Sequence, residues 1–345
     1  MSSSTRTTAT TTPESGQWDR AYGTFLGALC GDAAGATLEF FRREINSKDV
    51  EGALRMPGGG VHRVGPGQIT DDSELALSLA RGLMGRDPAQ GFPVEDVAIK
   101  YMEWCKSKPF DIGATCALAF RVEPDANGHY ADAMTATAAN GSMGSEANGA
   151  LMRVVPVALW SHHQPPETTA AFARRDAALS HPNQVCQDCN AIYCMLIAYL
   201  IHHPGDNTGA IAHVESFVRT NAHMKVREWF FAESLNIWDL DCRPLAGHVR
   251  WAFVLSIYFL RQNTSYKEAI YETLLRGGDT DTNAAIVGGL IGALHGNDAI
   301  PQYMKGPVLA FDCAMPVRGR CRPVEFKSDQ IIELTQQLTG IEKPQ

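Results

Sequence analysis

No run of lysine or arginine long enough to track a phosphate backbone occurs in this chain, whose formal net charge is −8. Nucleic-acid binding, which leaves a basic footprint, is therefore not expected. Long hydrophobic runs are also missing. The longest, "IYCMLIAYLI" (192–201) and "WAFVLSIYFL" (251–260), fall short of the roughly 20 apolar residues of a membrane helix and suit buried helices. The first 16 residues, "MSSSTRTTATTTPESG", have almost no apolar side chains. That excludes a signal-peptide core and predicts a disordered Ser/Thr-rich tail. A cytoplasmic monomer with no membrane partner is the expectation.

A disulfide framework is lacking too. Nine cysteines, an odd number scattered through helical patterns, read as reduced buried thiols. "CQDC" (186–189) has the spacing of half a zinc site, but no second Cys or His pair follows at the usual interval. Convincing alternating strand patterns are absent.

What is present is helical periodicity. With 45% hydrophobic and 20% charged residues in 345, the chain can bury a sizeable core. Segments such as "SELALSLARGLM", "PVEDVAIKYMEWCKS", "ADAMTATAA", "ETTAAFARRDAALS", "QDCNAIYCMLIAYLIHH" and "GHVRWAFVLSIYFLRQ" predict helices. The reading is one compact all-α domain of orthogonal helices over residues 17–345. Between the helices lie two Gly/Pro-rich loops, "MPGGGVHRVGPGQIT" (56–70) and "NGSMGSEANGALMR" (140–153), where function concentrates in such a scaffold.

Gly23, Gly27, Gly31 and Gly35 recur every four residues, as do Gly288, Gly292 and Gly296. Each interior glycine costs roughly 1 kcal/mol relative to alanine, so both stripes need a packing reason. They predict two helices crossing at short range, which would bring Asp32 or Glu39 near residues 279–282.

Two acidic clusters carry the chemistry. "ITDDSELAL" supplies Thr70, Asp71 and Asp72; "GGDTDTNAAIVGGLIGALHG" supplies Asp279, Asp281 and Thr282, with Thr280 between them. Each precedes an apolar helical pattern, where Asp and Thr are common N-caps. A cap explains one aspartate per helix, and each cluster has two. Sulfur and imidazole are missing from both, and hard oxygen ligands favour Mg²⁺ or Mn²⁺. If the clusters meet, four carboxylates repel one another unless two divalent cations neutralise them, which points to a binuclear centre. The positive end of a helix dipole favours their ionised form.

"GALCGDAAGATLEF", "ITDDSELAL", "DIGATC", "ANGALMRVVP", "SHPN" and "GGDTDTNAAIVGGLIGALHG" occur here in order. Together they resemble the ADP-ribosylglycohydrolases (ADP-ribosylhydrolases) over about residues 20–300. The motifs look nearest to the dinitrogenase-reductase-activating and ADP-ribosylarginine types.

The resemblance implies an all-α fold, a binuclear Mg²⁺ or Mn²⁺ centre held by Thr70, Asp71, Asp72, Asp279, Asp281 and Thr282, and hydrolysis at the anomeric carbon of ADP-ribose. The partner it implies is an ADP-ribosylated protein, with arginine as the first-expected linkage, or a small molecule containing ADP-ribose. Asp111 in "DIGATC" and Glu39 in "GATLEF" become the proton-transfer candidates. Ala114 stands where relatives often carry a second acid.

Substrate contacts are expected from Gly141, Ser142, Met143, Gly144, Asn148, Gly149, Met152 and Arg153 in the second loop, and from His181 near the pyrophosphate. Bland roles stay open beside these: Asp111 as a helix cap, Arg153 as an ion-pair partner, Met152 as core, His181 as cap or core. ADP-ribosyl-serine or O-acetyl-ADP-ribose hydrolysis, a two-metal phosphohydrolase and a non-catalytic crystallin-like protein are the competing functions.

Overall fold

Apolar residues at helical spacing form helices along nearly the whole chain. The computed structural model describes residues 13–344 and has, among these, sixteen α-helices and no strand. They are α1 (Pro13–Gly35), α2 (Ser47–Ala53), α3 (Asp71–Leu83), α4 (Val94–Lys106), α5 (Ala114–Phe120), α6 (Tyr130–Gly141), α7 (Val155–Trp160) and α8 (Pro166–Ala178). The second half contributes α9 (Gln184–His202), α10 (Asn207–Asn221), α11 (Met224–Phe231), α12 (Val249–Gln262), α13 (Tyr266–Leu275), α14 (Thr280–His295), α15 (Gln302–Ala310) and α16 (Ile331–Thr339).

The expected tail ends earlier than residue 16. Helix α1 is described from Pro13 onward, so residues 13–16 belong to the helix. The expectation for residues 1–12 lies outside the described residues. The run at 192–201 also grows, because it is the second half of α9. That helix, at 19 residues and mean hydropathy 1.2, is long and apolar enough to cross a membrane, but 78% of it is buried within the protein. Asp188 and Asn190 interrupt its apolar pattern in sequence, yet both are fully buried. Helix α9 is a core helix, packed against α1, α7, α8, α10 and α14.

The pairing of α1 with α14 is the most extensive in the molecule, and the two glycine stripes make it. A Cβ on Gly27 would collide with the Gly288 carbonyl, one on Gly31 with the Ala284 carbonyl, and one on Gly292 with the Gly23 carbonyl. Backbone rests on backbone here. Three hydroxyls tie the crossing down: Tyr266 donates to Gly27 O at 2.6 Å, Tyr193 to Ile286 O at 2.7 Å and Thr280 to Gly35 O at 2.7 Å.

Helix α3 is fixed from behind by a buried ion pair. Arg322 Nε lies 2.8 Å from Glu74 Oε1, and the Trp104 indole donates to Glu74 Oε2 at 2.8 Å. The C-terminal segment that carries Arg322 also holds the first glycine-rich loop: Gln68 accepts from Arg320 N at 2.8 Å and donates to Arg320 O at 2.7 Å.

Candidate active site

The two acidic clusters stand at the starts of α3 and α14, and the α1–α14 crossing brings them together. Thr70 and Asp279 occupy the N-cap positions, yet neither side chain makes a capping hydrogen bond. Both face inward instead. Thr70 Oγ1 lies 2.8 Å from Asp32 Oδ1 and 2.9 Å from Asp72 Oδ2, sharing its single proton between them. Asp279 Oδ2 accepts from Asn148 Nδ2 at 2.8 Å. Asp281 Oδ1 accepts from the Thr282 backbone N–H at 2.9 Å. Gly278, in a left-handed conformation with φ 81°, turns the chain into Asp279, and a Cβ there would strike the Cys242 carbonyl.

Two triads of buried carboxylates result. Asp32, Asp72 and Asp281 form one and Glu39, Asp279 and Asp281 the other, each offering oxygens within 4.8 Å of one another. Asp281 belongs to both. Asp72 Oδ1 is buried without a hydrogen-bond partner, which a folded protein avoids unless something else meets the charge. Burial first, and the neighbouring carboxylates second, push Asp71, Asp72 and Asp281 well above the usual carboxylate range. Burial likewise lifts Asp32 to about 7, against hydrogen bonds from Ser73 and Thr70 that lower it.

Above the triads opens a cavity of about 400 Å³ walled by Glu39, Asp71, Asp111, Asp279, Asp281 and Thr282 on its acidic side. Asp111 belongs to the loop before α5; the N-cap of α5 is Gly113, so the capping role for Asp111 does not apply. Burial raises its carboxyl to about 6, Glu39 adding to the shift and His62 opposing it. His62 Nε2 stands between two acids, 3.1 Å from Glu39 Oε2 and 3.2 Å from Asp111 Oδ2.

The sequence profile of the ADP-ribosylglycohydrolase family matches residues 13–339. The chain belongs to that family. It is 32% identical over 289 residues to the ADP-ribosyl-[dinitrogen reductase] glycohydrolase of Rhodospirillum rubrum, covering 82% of this chain and 88% of that protein. It is 25% identical over 297 residues to the ADP-ribosylarginine hydrolase Tri1 of Pseudomonas putida (strain GB-1), covering 85% and 74%. A solved ADP-ribosylglycohydrolase-related protein complex shares the fold at TM-score 0.72 and 24% identity, over 94% of this chain and 98% of that one. The protein is thus an ADP-ribosylglycohydrolase, a hydrolase of glycosyl bonds.

Within this glycohydrolase the second glycine-rich loop divides. Asn148, Gly149 and Met152 line the cavity, Met152 also packing into the core. A Cβ on Gly149 would stand 3.1 Å from Cys116 Sγ and 3.1 Å from His181 Cε1, so any side chain there would crowd this wall. Gly141, Ser142, Met143 and Gly144, the other expected substrate contacts, do not line this cavity. Ser142 closes the end of α6 instead, and the Met143 side chain is exposed.

Arg153 takes the ion-pair role that stood open beside substrate contact. It is fully buried, with Nε 2.9 Å from Tyr101 Oη and 3.2 Å from Asp176 Oδ2, and Nη1 3.0 Å from Gly149 O. Its guanidinium holds α4, α8 and the loop together and does not line the cavity. His181 does line it. Burial, with Arg153 nearby, lowers the ring to about 3, so it is neutral, and its Nε2 has no partner.

Thr70 and Asp72 lie behind the cavity wall, where Asp32 meets them. Asp32 also accepts from Thr70 N at 3.0 Å and from Ser73 N at 3.2 Å. The glycine stripe hinted at Asp32. His62, Cys116 and Gly247, also at the site, carried no individual sequence signal, because their partners are remote in sequence.

Proposed function

We propose that the enzyme hydrolyses the bond between ADP-ribose and an acceptor, first of all an arginine side chain of a protein, and that it does so with two Mg²⁺ or Mn²⁺ ions. The observation that carries this is the pair of carboxylate triads sharing Asp281 beneath an acidic cavity. The donor set is all hard oxygen, which suits these cations. Asp72 Oδ1 is buried without a partner, and the raised pKa values record the cost of the uncompensated charge. Thr70, Asp71, Asp72, Asp279, Asp281 and Thr282 would hold the cations. Bound there, they would supply Lewis-acid polarisation of the ribose hydroxyls and of water.

The protein's own groups account for the rest. Asn148 fixes the rotamer of Asp279 through its hydrogen bond. Gly149 leaves room for the ribose. Asp111, with its carboxyl at about 6, is suited to exchange a proton near neutral pH. As water adds to the anomeric carbon and the glycosidic bond breaks, one proton must leave the water and one must reach the departing guanidine. Asp111 is the group placed to move it. Glu39 and Asp111, on the same wall, suit a cationic acceptor such as guanidinium. The arginine reading is also supported by the relatives, one of which is named for ADP-ribosylarginine.

Purified protein with Mg²⁺ or Mn²⁺ should be offered ADP-ribosyl-arginine, ADP-ribosyl-serine and O-acetyl-ADP-ribose. Intact ADP-ribose, released fastest from the arginine conjugate, is expected. AMP as product would replace glycosidic by pyrophosphate cleavage, and a faster serine conjugate would overturn the acceptor assignment.

A further inference from the structure

Five of the eleven histidines gather outside the acidic cavity, none of them lining it. His162 and His163 follow α7, His202 ends α9 and His203 comes next, and His213 lies on α10. Three of these rings converge. Ring centroids of His162 and His202 are 5.0 Å apart, of His163 and His202 5.1 Å, and of His162 and His163 3.8 Å.

We propose that His162, His163 and His202 form a second metal site, which takes a divalent ion of the zinc class. One nitrogen from each ring lies within 4.8 Å of the others. Zinc bound to imidazole at about 2.0–2.1 Å in tetrahedral geometry places its nitrogens about 3.3 Å apart. His162 Nδ1 and His202 Nε2 are 3.0 Å apart, so this pair needs to open by only a few tenths of an ångström.

The outer nitrogen of His162 is oriented as a metal-binding imidazole requires. His162 Nε2 lies 3.1 Å from Thr339 O and donates its proton there, which turns the Nδ1 lone pair toward the other rings. His202 Nδ1 lies 3.3 Å from the Gln17 side-chain amide, while its Nε2 is 3.0 Å from the His162 backbone O; an ion would replace that contact, with the ring proton moved to Nδ1, where the rotated Gln17 amide oxygen accepts it.

Among the described residues, no carboxylate joins the group. Burial first lowers the affinity of His162 and His202 for protons, and the neighbouring histidines lower it further. These rings are therefore neutral near pH 7, the form that binds a metal. Imidazole selects zinc, nickel or copper over Mg²⁺, so this site and the carboxylate centre would take different ions. Its ligands and their supports come from α1, the turn after α7, the end of α9 and the end of α16, so a bound ion would clasp four remote segments.

Zinc binding should be measured on the full chain by calorimetry in excess Mg²⁺, for the native protein and for His163→Ala and His202→Ala. His163 is exposed, so its removal should leave the fold intact, as turnover in Mg²⁺ alone would show. The native protein should bind one zinc ion at this site and melt at a higher temperature with it; each variant should bind at least tenfold more weakly. Absence of zinc binding by the native protein, or undiminished binding by both variants, would overturn the proposal.

Discussion

Asp281 rests its backbone directly on Gly35: a Cβ on that glycine would strike the Asp281 Cα and backbone N. The glycine stripe of α1 therefore sets the position of a carboxylate shared by both triads. Gly35→Ala should displace the start of α14 and lower cation affinity at least tenfold, measured by calorimetry with Mn²⁺. Gly31→Ala, against the Ala284 carbonyl, should destabilise by about 1–3 kcal/mol or more, as overpacking does. Chemical denaturation of both variants checks the fold, and native-like stability in Gly31→Ala would contradict the close crossing.

Asn148 acts through Asp279. Its removal in Asn148→Ala frees a buried carboxylate oxygen to reorient, and outer residues of this kind typically cost about 10–100-fold in metal affinity or activity. Turnover should fall by that order with little change in stability. A variant that keeps full turnover at limiting cation would remove Asn148 from the machinery.

Arg153 should behave differently. Arg153→Met leaves Asp176 buried without its cation, a change that costs roughly 3–5 kcal/mol. Arg153→Lys should not rescue it, because one ammonium cannot replace the contacts to Tyr101, Asp176 and Gly149 O. The loss should appear in the denaturation midpoint. A large rise in KM with unchanged stability would place Arg153 on the substrate after all.

The pH dependence has a defined sign. Asp32 and Asp111, raised to about 7 and about 6 from 3.8, hold protons in the folded state that the unfolded chain has released. Their stabilisation is complete below about 3.8 and is lost as pH rises through the 6–7 range. His162, lowered to about 4, and His181, lowered to about 3, work in reverse: their stabilisation is present above about 6.5 and lost as the pH falls. Cations bind the ionised carboxylates and remove the first penalty. The rise in melting temperature on adding Mg²⁺ should therefore grow from pH 5.5 to pH 8; a flat or falling difference would contradict the account.

Much of this was legible in the sequence because it is periodic or local. The long helices, the two aspartate clusters and the glycine stripes all show at fixed spacing. Short helices such as α7, α11 and α15 did not, since a turn or two carries little periodicity; α15 even contains Pro307. Helix α2 is absent from the predicted helices although its start carries the Asn46–Asp49 capping box. At the site, the motif carrying Arg153 gave its neighbourhood but not its direction, because a guanidinium beside a cavity can turn inward or away. His62 stayed hidden because Glu39 and Asp111 reach it from separate segments, a meeting that only the packed chain reveals.

The central claim is glycosidic hydrolysis dependent on the carboxylate centre. Its most direct test is release of ADP-ribose from ADP-ribosyl-arginine after chelation and graded return of Mg²⁺ or Mn²⁺, for the native protein and Asp281→Asn. The account predicts that chelation abolishes release, that either cation restores it in the native protein, and that Asp281→Asn stays inactive while remaining folded. Full release by the chelated protein, or by Asp281→Asn, would contradict it.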